Sequence, residues 1–172
     1  MQRILVMGSS GSGKSTFGRA LAEKLALPFV SIDQLFWQSG WREPKMDDFT
    51  AIMTREADKP TWVMDGNYTR YGAGELRRAR ADTIIWFDLP RWLCMVSVLR
   101  RIVTSYGVVR PEMAPACPEQ LDWEFLRYVW TFRALQRPKL VTYFAELRDD
   151  QRLVTFTTRA QAAGFLADAG AA

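Results

Sequence analysis

Residues 3–25, RILVMGSSGSGKSTFGRALAEKL, constrain the fold of this chain more than any other segment. The run RILVM, residues 3–7, is nearly continuous apolar sequence, as expected of a strand buried on both faces. From Lys14 onward Phe17, Leu21 and Leu25 recur at i, i+4 and i+8, which is one face of a helix. A strand that runs through a glycine-rich turn straight into a helix is half of a parallel β-α-β unit.

The turn itself, Gly8 to Ser15, reads G-S-S-G-S-G-K-S and matches G-x-x-x-x-G-K-[ST], the phosphate-binding loop. Gly8, Gly11 and Gly13 let backbone N–H groups, including that of Ser12, curl round a phosphate, and the following helix adds further donors and a partial positive charge. Lys14 is placed to reach the β and γ phosphates of ATP, Ser15 to bind Mg2+, and Thr16 to donate to the α phosphate. ATP or GTP binding is the expectation. No N-K-x-D guanine-reading sequence occurs, and a compact ATP-dependent kinase is the leading reading.

The remaining elements extend the alternation. Short apolar runs end at Asp33 (PFVSI), Asp65 (WVM) and Asp88 (TIIWF), and a last strand covers residues 153–156. Helices are expected over residues 47–57, from residue 91 to about 102, and over 160–169. Residues 121–147 read as one long helix broken or bent near Pro138. The fold class is therefore α/β, a parallel sheet with helices on both faces, with ligands expected at the carboxyl ends of the strands. Gly8, Asp33, Asp65 and Asp88 gather along that edge.

The 172 residues suit one domain, and the Ala-rich tail from Ala167 to Ala172 is expected to be loose. With no histidine, imidazole chemistry is excluded and acid–base work falls to carboxylates or Lys. Cys94 and Cys117 make neither a redox motif nor a metal pair, which fits a reducing cytoplasm. No apolar run approaches the roughly 20 residues of a membrane span, and the protein is expected to be soluble. The net charge of +4 is uneven: residues 70–110 carry 8 basic and 3 acidic groups. That segment reads as a nucleic-acid patch, a set of phosphate clamps in a cleft, or a solvated face.

Single residues leave alternatives open. Asp33 is either a base for an acceptor hydroxyl or a helix or turn cap. Phe36, Trp37 and Trp41 form either an aromatic floor for a flat acceptor or simple packing. Arg133 and Arg137, at i and i+4, either point together into the cleft to neutralise a transferring phosphoryl group or belong to a surface ion-pair face. Arg77, Arg78 and Arg80 read as solvated. The stretch WVMDGNY, residues 62–68, is either a simple Asp-Gly turn or a buried strand ending in a carboxylate, Asp65, with a functional role at the ligand edge of the sheet.

The chain resembles the adenylate kinase superfamily of small P-loop kinases, and more closely the bacterial adenylate kinase-like proteins labelled DNA topology modulation proteins. The resemblance is carried by the phosphate loop, IDQLFWQSGW (residues 32–41), WVMDGNY, FDLPRWLCMVSVLRR (residues 87–101) and RPEMAPACPEQLDWEFLRYVWTF (residues 110–132). It implies a five-strand parallel core, an acceptor-binding insertion over residues 33–59 and a lid over residues 102–120. It also implies an Mg2+-associated acid at Asp65, a phosphate-clamping Arg101 and a lid arginine at Arg110. Ser97 stands where adenylate kinases carry the arginine that packs on adenine, and Thr69 where they have the arginine of D-G-x-x-R. The expected activity is transfer of the ATP γ-phosphoryl to a nucleotide, nucleoside or other small hydroxyl acceptor. The alternative is an ATP-binding regulator of DNA or of a protein partner.

Overall fold

In β1 (Arg3–Gly8) the side chains alternate between two cores: Ile4 and Val6 enter one, Leu5 and Met7 the other, and all four are fully buried. A strand flanked by apolar layers on both sides must lie inside a sheet, and β1 is its centre. The computed structural model describes residues 1–170, in which β2 (Phe29–Ser31), β3 (Trp62–Asp65), β4 (Thr83–Phe87) and β5 (Arg152–Phe156) join β1 in a five-stranded sheet. The order is β2-β3-β1-β4-β5, and every pairing is parallel. Because β1 sits between β3 and β4, the chain leaves it in opposite directions, and a crevice opens at its carboxyl end. The phosphate loop occupies that crevice.

On the Val6 face pack α1 (Lys14–Lys24), α5 (Arg91–Ser105) and α8 (Arg159–Asp168), centred on Phe17, Leu21, Val98 and Phe156. The Met7 face is covered by α2 (Ile32–Phe36), α3 (Met46–Asp58), α4 (Gly74–Arg80) and α7 (Arg137–Ala145), through Phe49, Met53 and Phe144. The helix α6 (Trp123–Leu135) serves both, giving Val129 to one core and Phe132 to the other. At the chain end, Lys24 Nζ donates to the carbonyls of Leu166 and Ala167 at 2.8 and 2.6 Å. Ala167 is thus helical and Ala169 buried, contrary to the loose tail expected from residue 167; the last two residues lie outside the described residues.

Two further expectations need correction, and one open choice is decided. The strand toward Asp33 stops at Ser31, whose hydroxyl accepts from the Gln34 N–H and caps α2; Asp33 therefore lies in the first helical turn and is not itself the cap. The helix expected to break or bend near Pro138 breaks: it is two helices parted at Gln136, because Pro138 is suited to the opening turn of a helix and not to its interior.

Arg77 is buried, not solvated, and α4 around it is an element the pattern of arginines concealed. The preceding loop runs through left-handed backbone at Tyr68, Gly72 and Ala73, which turns carbonyls inward without ladder partners. The Arg77 guanidinium donates to the carbonyls of Gly72 and Tyr68 at 3.0 and 2.7 Å and to that of Tyr71 at 3.4 Å. Burial lowers its pKa to about 10, so the group is still charged at neutral pH. Arg77→Ala leaves these acceptors bare and is expected to cost about 3 kcal/mol or more, which at this chain length lowers the thermal midpoint by roughly 6–12 °C. Circular dichroism melting measures it, and a drop below about 2 °C would show that the loop does not depend on Arg77.

Candidate active site

The phosphate loop is clamped from both sides. Gly11 has φ +78°, and a Cβ there would collide with the Cys94 carbonyl, because α5 packs directly on the loop. On the other side the Asn67 amide accepts from the Gly8 N–H at 2.9 Å and donates to the Gly8 carbonyl at 3.0 Å. Gly13 precedes α1 in left-handed conformation with no side chain bonded to the helix end, so first-turn N–H groups are left for a ligand.

Lys14 is buried, with Nζ 4.0 Å from Oδ1 of Asp65 at the end of β3. That oxygen is buried without a hydrogen-bond partner. Burial raises the Asp65 pKa above the ordinary carboxylate value, against the opposing effects of Lys14 and the Ser15 hydroxyl. Among the described residues no cluster of three or more acids or cysteines forms a protein-only metal cage. An orphaned carboxylate oxygen beside Lys14 and Ser15 suits a cation that keeps most of its ligands as water and substrate phosphate, as Mg2+ does.

The answer to whether WVMDGNY is a turn lies in four consecutive residues. Asp65 faces Lys14. Gly66 turns the chain at φ +143°, where a Cβ would lie 2.9 Å from that of Ile32. Asn67 fastens Gly8. The Tyr68 hydroxyl then donates to Oδ1 of Asp33 at 2.8 Å. Tyr68 holds left-handed backbone, φ +36°, with its ring wedged 4.9 Å from Phe36 and 5.6 Å from Phe49. Burial and then the Asp33 charge push the phenol pKa far up, so Tyr68 stays a donor.

Lys14, Ser15, Thr16 and Asp33 open into one cleft of about 1020 Å³. Gly11, Gly13, Arg101 and Arg110 also line it. Arg101 and Arg110 share the buried carboxylate of Glu119, at 2.9 and 3.0 Å respectively. Burial lowers the Arg101 pKa, the nearby Arg110 lowers it further, and Glu119 opposes both. Trp37 and Trp41 line the same cleft and also pack against Met113, Ala114 and Cys117, joining residues 33–59 to residues 102–120.

Other candidates stand elsewhere. Gly8 begins the loop behind the cleft wall, and the buried Ser12 hydroxyl has no partner and faces a smaller cavity of about 340 Å³ beside Phe17 and Phe87. Arg133 and Arg137 do not line the main cleft. Arg137 grips Asp88 with two nitrogens at 3.0 and 2.8 Å, and Arg133 stands 3.9 Å from it. They lie on different helices, so the expected stacking along one helix face is not formed.

Sequence reasoning missed Asn67, Tyr68, Glu119 and Arg159. Arg159 donates to the Ser97 hydroxyl at 2.6 Å and the Gly11 carbonyl at 3.0 Å, so an arginine does reach Ser97, from the start of α8. The capping box that opens α8 at Thr158 was the one local signal for it.

Two solved structures overlay most of the chain. A gluconokinase from Sinorhizobium meliloti aligns with TM-score 0.55 and 22% identity over 99% of this chain and 90% of its own. A shikimate kinase from Bacteroides thetaiotaomicron aligns with TM-score 0.56 and 15% identity over 96% and 94%. The fold is that of the P-loop kinases. The shikimate kinase family profile matches residues 10–45, from the phosphate loop through Asp33. A shikimate kinase of Persephonella marina is 59% identical over 105 residues, 52% of this chain and 63% of the relative. Shikimate kinase 2 of Sodalis glossinidius is 31% identical over 70 residues, 38% and 40% respectively. The chain thus spans less than two thirds of the curated relatives it matches. These matches are to shikimate kinases and do not support the narrower kinship with DNA topology modulation proteins that was expected from the sequence.

Six of the eight arginines of the basic segment 70–110 are engaged within the protein, while Arg70 and Arg100 are exposed. Arg77 is buried, Arg78 pairs with Glu75 and Glu146, and Arg80 pairs with Asp58. Arg91 lies over Trp130, and Arg101 and Arg110 hold Glu119 in the cleft. No helix among the described residues is long and apolar enough to cross a membrane.

Proposed function

We propose that the protein is an ATP-dependent phosphotransferase that moves the γ-phosphoryl of ATP to a hydroxyl of a small acceptor. One observation carries the reading: Asp33, held by Tyr68, opens into the same cleft as Lys14 and Ser15. A phosphate cradle and an acceptor-side carboxylate in one cavity are the two halves that in-line transfer requires. The names of the partial relatives, shikimate kinase and gluconokinase, support transfer to a small hydroxyl compound. The narrower kinship with the DNA topology modulation proteins belongs to the same proposal, supported by FWQSGW and DGNY. Six of the eight arginines of segment 70–110 are engaged within the protein, which supports a small-molecule acceptor over a DNA partner. Two free, buried cysteines support a reducing, cytoplasmic setting.

In this mechanism the loop N–H groups and Lys14 hold the phosphates, while Ser15, with Asp65 acting through water, would hold Mg2+. The cation neutralises phosphate charge. Asp33 accepts the acceptor hydroxyl proton as that oxygen bonds to the γ-phosphorus. The bond from the γ-phosphorus to the β–γ bridging oxygen breaks, and ADP leaves with the electron pair. Asp33 then passes the proton to solvent. Residues 33–59 act as the acceptor-binding insertion and 102–120 as the lid. The lid brings Arg110 to the phosphates beside Arg101 and excludes water. Arg133 and Arg137 act at one remove, through Asp88.

The test is ADP release from Mg-ATP with a panel of hydroxyl acceptors, beside Lys14→Ala. Stimulation by an acceptor, lost by about a hundredfold or more in Lys14→Ala, is expected. Tight ATP binding without stimulation by any acceptor would overturn the reading.

A further inference from the structure

The acceptor half of the cleft, beyond Asp33, differs in character from the phosphate half. Its wall is built from Phe36, Trp37, Trp41, Tyr68, Tyr71 and Met113. Trp41 is held in left-handed backbone, φ +60°, with its indole N–H donating to the Pro118 carbonyl at 3.3 Å and its backbone N–H to the Cys117 sulfur at 3.4 Å. Its polar atoms are therefore committed to the lid segment, and what it offers a ligand is ring surface. Trp37 stands 5.4 Å from it at 72° between planes, so the two indoles form a corner and not a sealed stack. Both line the cleft and remain partly exposed, so ring surface is open to a ligand.

Asp33 and Glu112 line the cleft; of its basic side chains Lys14 and Arg159 stand at the phosphate loop, Arg100 is exposed, and Arg101 and Arg110 already share Glu119. An acceptor bearing its own carboxylate or phosphate would face Asp33 and Glu112 and would find Arg101 and Arg110 engaged with Glu119 and, on lid closure, with the phosphates of ATP, which costs desolvation and pairing energy. The volume of about 1020 Å³ is at or above the upper end for a single ligand, leaving room for ATP and a second ring-sized molecule.

We infer that the phosphoryl acceptor is an uncharged ring compound bearing a hydroxyl, of the nucleoside class, stacked in the Trp37–Trp41 corner with its hydroxyl at Asp33. This rests on the phosphotransferase reading above and deepens it. Aromatic stacking of a base changes affinity by roughly tenfold per ring.

The experiment measures ADP formation from Mg-ATP with adenosine, guanosine, cytidine and thymidine, against shikimate, gluconate and AMP at equal concentration. One of the nucleosides is expected to raise the rate at least about tenfold and to exceed every anionic compound. Trp37→Leu is expected to raise KM for that nucleoside about tenfold with a smaller effect on kcat, and Trp37→Phe, which keeps a flat ring in the packing with Met113, to recover most of it. An anionic compound as best acceptor would overturn the inference and leave the phosphotransferase reading standing. No stimulation by any compound, with ATP still bound, would overturn both. A nucleoside whose KM ignores Trp37→Leu would remove the aromatic corner as its seat.

Discussion

Asp65→Asn is expected to bind ATP much as the wild-type protein does and to turn it over about a hundred- to a thousandfold more slowly, while melting at a higher temperature. The kinetic half follows from the orphaned oxygen: the carboxylate lies 4.0 Å from Lys14, buried and with no protein hydrogen bond to Oδ1. A neutral amide keeps the shape and loses the charge that a water-bound cation requires. The cradle for the phosphates, built from backbone N–H groups and Lys14, is untouched, so affinity holds while kcat falls.

The stability half follows from the sign of the pKa shift. Burial, the largest cause, raises the folded-state value above 3.8, more than Lys14 and Ser15 lower it. The folded chain therefore binds this proton more tightly than the unfolded chain does, and stability falls as pH rises from 3.8 through the raised value. Below 3.8 the acid is neutral in both states and the cost is absent; above the raised value it is fully present. Asp65→Asn removes it, so the variant is expected to melt above the wild type at neutral pH. Melting curves across pH test this: the advantage should be full at pH 7 and vanish in acid. An unchanged kcat would remove Asp65 from the reaction; a melting point lowered at pH 7 would show that Lys14 depends on the acid more than burial penalises it.

What could be read from the sequence follows the range of the interactions. Continuous apolar runs specify strands buried on both faces whatever lies around them, so RILVM, TIIWF and the phosphate loop were legible, and with them the α/β class. Arg77 was not, because its role is set by inward carbonyls of a loop whose left-handed residues include Tyr68 and Ala73, types that do not announce that backbone. Arg133 and Arg137 were misplaced for a geometric reason: spacing i, i+4 implies a shared face only within one helix, and the chain restarts at Arg137. Glu119 and Arg159 find their partners across 18 and 62 residues, where no local pattern reaches. Sequence located the phosphate half of the cleft; the acceptor half depends on contacts between residues 33–45 and 110–119 that only folding brings together.

Asp33→Asn is the variant that separates a catalytic cleft from a merely nucleotide-binding one. A carboxylate that takes the acceptor proton contributes about a hundred- to ten-thousandfold, so kcat in the presence of acceptor should fall by that range with ATP affinity retained. Tyr68→Phe is the matched control. It leaves the ring wedged between Phe36 and Phe49 but removes the 2.8 Å bond that fixes Oδ1, freeing the carboxylate to rotate away from the acceptor. Loss of one hydrogen bond to a charged group predicts about a tenfold fall in kcat. The order matters more than either number: wild type, then Tyr68→Phe, then Asp33→Asn, with melting temperatures close together. If Tyr68→Phe lost as much activity as Asp33→Asn, the phenol itself would have to touch the acceptor. If neither lost any, Asp33 would be no more than the partner that holds a strained tyrosine in place.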